Sequence, residues 1–353
     1  MLLGACELPK LPTTVPPLSP VELVDAGHDL RASAALKAIV EADPSNAQAA
    51  WLLSKSLIGL GNLEGALAQA ERSVALDPEN ASYHVQLGAV LGRMAEKASM
   101  FKQLGLARRT RKELEAGVAL DGKNLDGLYG LMMYAYSAPS FLGGDKAKAA
   151  DLAEQIAAVD PVRGLLARAA LSHEQKDAAA ELDFTLRAVE ADPANFDAQS
   201  ALTQFYLDRP NPDWAQVERC GCRLMQLDPG RPDGWRALVE AHVASLCWTE
   251  LDGILAVSET FNHEDLSPYY SAAAAMIRSE QRLDAARAYL EHYMAQPPEG
   301  SEPSRAMARW QLASLLEKAQ LPDEAIAQLN RALEEDPSLE AAKKDLKRLK
   351  GTK

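Results

Sequence analysis

Histidine and cysteine side chains are the first candidates for metal binding or nucleophilic chemistry, and their spacing here favours neither. The six histidines never lie within four residues of one another, so no two of them share one face of a helix and form a metal site. Cys220 and Cys222 form a close thiol pair, but side chains two positions apart on a helix point to nearly opposite sides. No second pair completes a set of four thiolate ligands. We interpret both cysteines as small core residues and expect neither a metal nor another cofactor.

The segment Gly143-Gly144-Asp145-Lys146 precedes a predicted helix and superficially suggests a phosphate-binding loop. It lacks the Lys-Ser/Thr ending and the preceding strand of such loops, so we interpret Asp145 as a helix N-cap. The sequence contains no nucleophile elbow, zincin motif or dinucleotide-binding fingerprint, and its many carboxylates form no recognisable catalytic pair. We therefore predict that the protein is not an enzyme.

The composition is that of a folded, acidic protein. The chain has 353 residues, of which 47% are hydrophobic, and this is enough for a large buried core. Its formal charge of -13 repels phosphate backbones and argues against a nucleic-acid partner. No apolar run approaches the roughly eighteen residues that are needed to span a bilayer.

Residues 47–80 form the unit that the rest of the chain repeats. Apolar and small residues recur there at three- and four-residue steps on either side of Gly61, which predicts two amphipathic helices joined by a tight turn. Pro78 cannot continue a helix and ends the unit. The residues that carry the pattern are Leu53, Ser54, Leu57, Gly61, Ala66, Ala70, Ser73 and Pro78.

This unit recurs along the chain. An Asp-Pro pair closes a hairpin six times, and the first two of these prolines, Pro44 and Pro78, are 34 residues apart. In pattern and period the unit resembles a tetratricopeptide repeat. The resemblance implies an all-α, right-handed α-solenoid of about eight helical hairpins over residues 21–353. Residues 340–350 are charged and amphipathic, and we predict that they form the C-terminal capping helix.

Two insertions interrupt the period in adjacent repeats. Ten residues are added around positions 93–109, and a second insertion covers residues 137–144. We expect two lengthened turns that emerge on the same side of the solenoid. The insertions contain Phe101, Phe141 and Leu142, apolar residues that solvated loops usually lack. This favours a role in shaping a site, and simple loop growth is the alternative.

In tetratricopeptide solenoids the first helix of each hairpin lines the concave surface, and positions about five, nine and twelve of the repeat point into it. Applied to this sequence, these positions give a largely aromatic and aliphatic lining, which favours a binding groove. The Lys and Asn clamp of the family's chaperone-binding members is missing there. The alternative is that the same side chains pack between neighbouring hairpins. The candidate binding residues, including two phenylalanines of the insertions, are Trp51, Ile58, Val85, Phe101, Tyr129, Met133, Tyr136, Phe141, Leu207, Tyr270, Ile277 and Trp310.

The N-terminus carries a separate signal. Leu3-Gly4-Ala5-Cys6 resembles the lipobox of bacterial lipoproteins, in which the cysteine is lipidated, although only five residues precede Cys6. Five prolines between Glu7 and Pro20 predict a stiff, extended tether, so we assign residues 1–20 to a lipobox-like segment and tether. The resemblance implies a periplasmic lipoprotein of the outer membrane. The alternatives are a chance match in an ordinary disordered N-terminus and a cytoplasmic protein.

Two functions fit these features. The first is a non-catalytic binding protein or scaffold, anchored in the cell envelope, whose groove takes a peptide or protein partner. The second is a periplasmic carrier of an apolar small molecule, with the groove closed by the two insertions. The chain is loosely similar to the tetratricopeptide component of bacterial sterol transport systems, which implies a lipid or sterol as the ligand of such a carrier.

Overall fold

The computed structural model describes residues 18–300 and 303–351, and within these ranges the chain forms α-helices and one short 3-10 helix, with no strand. The prediction of an all-α fold is confirmed. The described residues group into two compact units, Leu18–Leu202 and a second from Thr203 on, which we call the N-terminal and C-terminal units. The boundary lies within the helix Phe196–Leu207, so no linker marks it in the sequence.

The N-terminal unit contains five helical hairpins. In each of them two consecutive helices pack along each other, and buried apolar residues such as Leu36, Leu53, Leu114 and Ile156 fill the space between neighbouring helices. The helices are α1 (Pro20–Asp25), α2 (Asp29–Ala42), α3 (Ala47–Gly59), α4 (Leu63–Leu76), α5 (Ala81–Lys97), α6 (Met100–Leu120), α7 (Leu125–Ser137), α8 (Lys146–Val159), α9 (Pro161–Glu174) and α10 (Ala178–Ala191).

Helix α11 (Phe196–Leu207) contains the boundary between the units. The C-terminal unit continues with α12 (Trp214–Leu227), α13 (Pro232–Ala244), α14 (Trp248–Phe261), α15 (Ser267–Ser279), α16 (Leu283–Met294), α17 (Arg305–Lys318), α18 (Pro322–Glu335) and α19 (Glu340–Gly351). Helix α12 packs on α13, three hairpins follow, and α19 packs on α18 as the predicted terminal helix. With the five hairpins of the N-terminal unit, the described residues contain the predicted number of about eight.

Short polar side chains set where the helices begin and end. The side-chain oxygens of Asn46, Asn62 and Asn124 accept first-turn backbone N–H groups at 2.9, 3.0 and 2.9 Å, and so satisfy donors that have no partner within the helix. At the other end, Asp43 has an extended backbone after α2. Pro44 follows it, and a proline disfavours the helical conformation of the residue before it. The repeated Asp-Pro pair is therefore a repeated helix stop.

The first insertion is not the lengthened turn that we expected, because it extends two helices. Helix α5 continues to Lys97 and α6 begins at Met100, so Ala98 and Ser99 alone connect them. The added residues are mainly Ala, Met, Lys, Gln, Leu and Arg, which have high helix propensity and propagate the flanking helices. The two helices thereby reach 17 and 21 residues, against 13 and 14 in the preceding hairpin.

The second insertion does form a lengthened turn, between α7 and α8. It contains a short 3-10 helix, Ser140–Leu142, followed by Gly143 with a φ of 95°, a backbone conformation that favours glycine. Asp145 then begins α8, since its carboxylate accepts the backbone N–H groups of Ala147 and Lys148 at 2.9 and 3.2 Å. The interpretation of Asp145 as an N-cap is confirmed.

Cys6 and residues 1–17 lie outside the described residues. The lipobox-like segment and the tether stay predictions.

Candidate functional site

The N-terminal unit contains an open pocket of about 810 Å³. Its walls come from α3, α5, α6 and α7, from the turn that follows α7, and from the end of α9. Apart from α6, these helices are the first of their hairpins, as the repeat pattern predicts for a binding surface. The volume falls within the range of roughly 300–1,000 Å³ that is usual for ligand pockets.

Small residues on α5 and α7 make room for this pocket. Ala89 is exposed within it, and a Cβ added at Gly92 would meet the Thr110 side chain at an ordinary distance of 3.6 Å. Gly88 and Gly130 let the buried Leu114 side chain fit between α5 and α7, since a Cβ at either position would lie 2.8 or 2.9 Å from it. The helices thus approach closely behind the pocket while leaving space in front.

The extended part of α6 supplies one wall. Gln103, Leu104 and Ala107 lie on the helical turns that the insertion adds, and all three line the pocket. Further along α6, the Thr110 hydroxyl donates to the Leu106 carbonyl at 3.0 Å, so its polar atom is satisfied within the helix. The insertion that interrupts the repeat period therefore creates a wall that a regular hairpin lacks.

The turn after α7 closes one end of the pocket. Its residue Leu142 is buried and lines the pocket, and the Tyr134 hydroxyl donates to the Leu142 carbonyl at 3.0 Å. The Arg111 guanidinium donates to the same carbonyl at 3.5 Å. Burial raises the pKa of Tyr134, so the phenol stays protonated and keeps its donor. The turn is tied to both α6 and α7.

Charges in the lining nearly balance. The charged residues are Lys55, Arg93, Glu96, Asp126 and Glu174. Arg93 and Glu96 form an ion pair at 3.6 Å, and Arg163 approaches Asp126 at 2.7 Å. The Lys55 amino group lies 5.0 Å from the centroid of the Trp51 ring, a distance typical of a cation–π contact. The lining thus has two cations and three carboxylates, and several of these charges already contact other side chains of the protein. This favours an uncharged occupant.

Tyr129 presents an aromatic ring at the pocket surface and is 41% exposed. Partial burial raises its pKa, Glu174 raises it further, and Arg163 acts in the opposite direction. The phenol is neutral at ordinary pH and can act as a hydrogen-bond donor or acceptor beside apolar lining residues such as Met133.

Four of the predicted binding residues line this pocket: Trp51, Val85, Tyr129 and Met133. Val85 is otherwise buried in the core, contrary to the prediction of an exposed groove position. Two others from the same hairpins lie elsewhere. Ile58 is partly buried against the core of the first hairpins, and Tyr136 lies beneath the Lys146 amino group, 4.8 Å from the ring centroid. The fifth and ninth positions of these three repeats therefore line the pocket, whereas among the twelfth positions Gly92 lines it and Ile58 and Tyr136 do not.

In the C-terminal unit the prediction of exposed groove positions is wrong for Tyr270 and Ile277, which are buried in the core. The Tyr293 ring of α16 packs against Tyr270, with 5.6 Å between the ring centroids. The physical reason is that α15 is apolar or small on all sides, from Tyr270 to Ile277, and such a helix is covered all round.

Two further candidates of the C-terminal unit also make internal contacts. Leu207 is partly buried against a small apolar cluster that includes Val217. The indole N–H of Trp310 donates to the Asp345 carboxylate of α19 at 2.8 Å, so the terminal helix contacts this side chain. For these residues the alternative interpretation, packing between helices, describes the structure better.

The phenylalanines of the two insertions lie outside the large pocket and face solvent. Phe101 is 93% exposed at the start of α6, and Phe141 is 74% exposed in the turn after α7. Phe141 borders a second, smaller pocket of about 250 Å³, together with Arg108, Arg111 and Lys112.

Sequence reasoning missed the pocket residues Leu104, Ala107 and Tyr134. The sequence does not identify Leu104 and Ala107 as pocket residues when the first insertion is interpreted as a turn. The helix propensity of the inserted residues was the signal that could have placed them on a wall. Tyr134 follows Met133 directly on α7 and had no distinguishing pattern of its own.

In residues 18–300 and 303–351, no group of three or more His, Cys, Asp or Glu side chains is placed to hold a metal ion. In the same ranges, none of the helices combines the length and the hydropathy that crossing a bilayer requires.

Comparison with known proteins agrees with this fold. The family model of the tetratricopeptide repeat matches residues 22–81 and 272–340. No curated protein matches the chain in sequence. Yeast Tom70 is similar in structure, with 14% identity over 94% of this chain and 80% of that chain and a TM-score of 0.50. A monomeric mutant of IFIT1 with m7Gppp-AAAA has 14% identity over 94% of this chain and 70% of that chain, with a TM-score of 0.51.

A thermophilic tetratricopeptide protein of Thermus thermophilus is 18% identical, over 53% of this chain and 95% of that chain, with a TM-score of 0.47. At 14% identity, Tom70 and the IFIT1 mutant show similarity of fold alone. The two stretches matched by the family model coincide with the opening hairpins and with α15 to α18. These two stretches of the chain are therefore identified as tetratricopeptide repeats.

Proposed function

We propose that this is a non-catalytic binding protein whose pocket in the N-terminal unit receives an apolar segment of a peptide or protein partner. The observation that carries the proposal is the pocket of about 810 Å³ on the first helices of consecutive hairpins. Helical-repeat proteins use stacked surfaces of this kind for binding. The volume accommodates more than one large side chain, so a short segment of a partner fits it better than a single residue.

The lining defines the chemistry of the partner. Val85, Leu104 and Met133 offer apolar contacts, and the neutral Tyr129 phenol and the Gln103 amide add polar groups that fix orientation. Because charged side chains in the lining nearly balance, ionic recognition contributes little. The expected segment is uncharged and carries an aromatic or long aliphatic anchor, the type of side chain that dominates binding energy at interfaces.

The experiment tests binding after a large side chain is placed inside the pocket. Ala89→Phe adds an aromatic ring inside the pocket, and Ala38→Phe adds the same ring at an exposed position of α2 outside it. Peptides from a random display library are selected on the wild-type protein, synthesised with a fluorophore and titrated by anisotropy. We expect anchors of the stated kind, affinity at least about tenfold weaker for Ala89→Phe, and unchanged affinity for Ala38→Phe. Equal affinity of the wild type and Ala89→Phe contradicts the proposal.

A second candidate function is the carriage of an apolar small molecule. It is supported by the volume of the pocket, which suits a ligand, and by the wall that α6 adds on one side. The protein is incubated with a bacterial lipid extract, purified again and assayed for bound lipid by mass spectrometry. Saturable retention that is lost in Ala89→Phe and kept in Ala38→Phe supports the carrier. Peptide binding without lipid retention leaves the partner function alone.

We further propose that the protein is anchored in the cell envelope through a lipid on Cys6. The support is the resemblance of residues 3–6 to a lipobox and the proline-rich stretch that follows. The test is mass spectrometry of the Cys6 peptide, isolated from membranes of the native cells. A diacylglyceryl group on the cysteine supports a periplasmic lipoprotein, and an unmodified cysteine in the soluble fraction contradicts it.

A further inference from the structure

Positive charge is concentrated in two short stretches of this acidic chain, one in α19, where residues 343–350 contain five Lys or Arg and one Asp, and one at residues 93–112. Residues 93–112 contain seven Lys or Arg and a single Glu, whereas the whole chain has 37 Lys and Arg against 50 Asp and Glu. The stretch covers the end of α5 and the first half of α6, the part of this hairpin that the insertion lengthens. Five of these seven basic residues lie within the insertion at positions 93–109, and the other two, Arg111 and Lys112, follow it directly on α6.

Exposed apolar side chains occupy the same place. Met100 is 76% exposed and Phe101 is 93% exposed, and residues 100–105 are all exposed. Phe101, Leu104, Arg108 and Lys112 follow one another at three- and four-residue steps, so they lie along one side of α6. We call these four residues the α6 stripe. It is apolar at the tip of the hairpin and cationic further along.

The second insertion adds to this surface. Phe141 borders the small pocket of about 250 Å³ with Arg108, Arg111 and Lys112. Arg111 is held by Glu115 at 2.7 Å, whereas Arg108 and Lys112 form no ion pair with any described residue. An exposed aromatic ring therefore lies beside two cations whose charge is available to a partner.

We propose that the α6 stripe, with Met100 and Phe141, is a docking surface for an anionic phospholipid bilayer. Aromatic and aliphatic side chains at the tip enter the boundary between headgroups and acyl chains, and Arg108 and Lys112 contact lipid phosphates. A bilayer accepts a projecting apolar tip without a matching cavity, and it supplies the negative charge that this patch lacks. The chain as a whole is acidic, and α19, its other basic stretch, has no exposed large apolar side chain, so charge and apolarity together favour contact at this surface and orient the protein.

Docking of a bilayer at the α6 stripe does not depend on what occupies the large pocket. The two surfaces are nonetheless adjacent, since Leu104 belongs to the α6 stripe and also lines the large pocket. Docking at the stripe therefore brings the side of the pocket formed by α6 close to the lipid surface.

The test uses co-sedimentation of the full chain with vesicles of phosphatidylcholine, with and without phosphatidylglycerol. We expect binding to the anionic vesicles alone, weakened by added salt. Arg108→Glu combined with Lys112→Glu should weaken partitioning at least about twentyfold, since each basic residue near such a surface contributes roughly fivefold. Phe101→Ser should weaken it about tenfold, because a large exposed ring no longer enters the interface.

Matched controls change the same charge and apolarity elsewhere. Lys37→Glu combined with Arg219→Glu reverses two exposed cations, and Leu186→Ser removes a side chain that is 44% exposed. Both should bind vesicles as the wild type does, and so should the pocket variant Ala89→Phe, which separates this proposal from the pocket function. No binding to anionic vesicles, the result expected if an acidic protein occupies the stripe, overturns the proposal. Equal binding by wild type and stripe variants also overturns it.

Discussion

Gly117 on α6 lies so close to α5 that the structure leaves no room for a methyl group. A Cβ at this position would lie 2.6 Å from the Val85 side chain and 2.9 Å from the Ala81 carbonyl oxygen. Gly105, on the same helix, has no atom within 4 Å of its Cβ position. Substitution by alanine at these two positions therefore separates packing from helix propensity within one helix.

The two effects have opposite signs, and their magnitudes decide the outcome. Alanine favours a helix by about 1 kcal/mol over glycine, so Gly105→Ala should raise the free energy of unfolding by roughly 0.5–1 kcal/mol. At Gly117 the same gain is opposed by overpacking, which costs about 1–3 kcal/mol. One of the two contacts is a backbone oxygen that cannot rotate away, so we place the cost near the upper end. The expected net loss for Gly117→Ala is about 2 kcal/mol.

The assay is urea denaturation followed by far-ultraviolet circular dichroism, with both variants and the wild type measured together. We expect the midpoint to rise for Gly105→Ala and to fall for Gly117→Ala, with an unchanged slope. If Gly117→Ala is as stable as the wild type, the close approach of α5 and α6 is not as described. A fall for Gly105→Ala would instead contradict the argument from helix propensity.

Two other predictions concern the C-terminal unit. Trp310→Phe keeps an aromatic ring but loses the indole donor to Asp345, so it should lower stability by about 1–2 kcal/mol and speed amide exchange in α19, measured by mass spectrometry. Unchanged exchange in α19 would show that this bond does not hold the helix. Burial raises the pKa of the Cys220 thiol to about 11, so its alkylation by iodoacetamide near pH 8, followed by peptide mapping, should be far slower in the native than in the denatured protein. Equal alkylation rates in the native and the denatured protein would refute the burial argument. Because the Cys220 thiol ionises at lower pH in the unfolded chain, the contribution of its burial to the free energy of unfolding should fall as the pH rises from about 9 to 11.

The hairpins of this protein could be predicted from sequence because their signals are local. Spacing of apolar residues, the Asn and Asp caps, Gly61 and the Asp-Pro stops each act within a few residues, and α3 and α4 begin and end close to where these signals place them. Asp145 was correctly interpreted for the same reason, since an N-cap needs its own helix alone.

The pocket was predicted in part. Trp51, Val85, Tyr129 and Met133 follow from the register of the repeat, and they converge in the structure. The wall on α6 was missed because the period break indicates an insertion without saying whether the added residues continue a helix. High helix propensity favours that outcome, but packing of α6 along α5 completes it.

Interactions between residues close together in the chain are enough to specify the repeating helical hairpin, with its caps, its stops and its period. Which faces of these hairpins stay exposed depends on packing between distant helices, so Tyr129 reaches solvent and Tyr270 is buried although both occupy the same position of the repeat. The physical reason is that a helix is specified by neighbours along the chain, whereas exposure depends on which distant helices cover it. For Tyr270 that covering includes Tyr293 of the next helix, and for Tyr129 small residues on the adjacent helices leave the space empty.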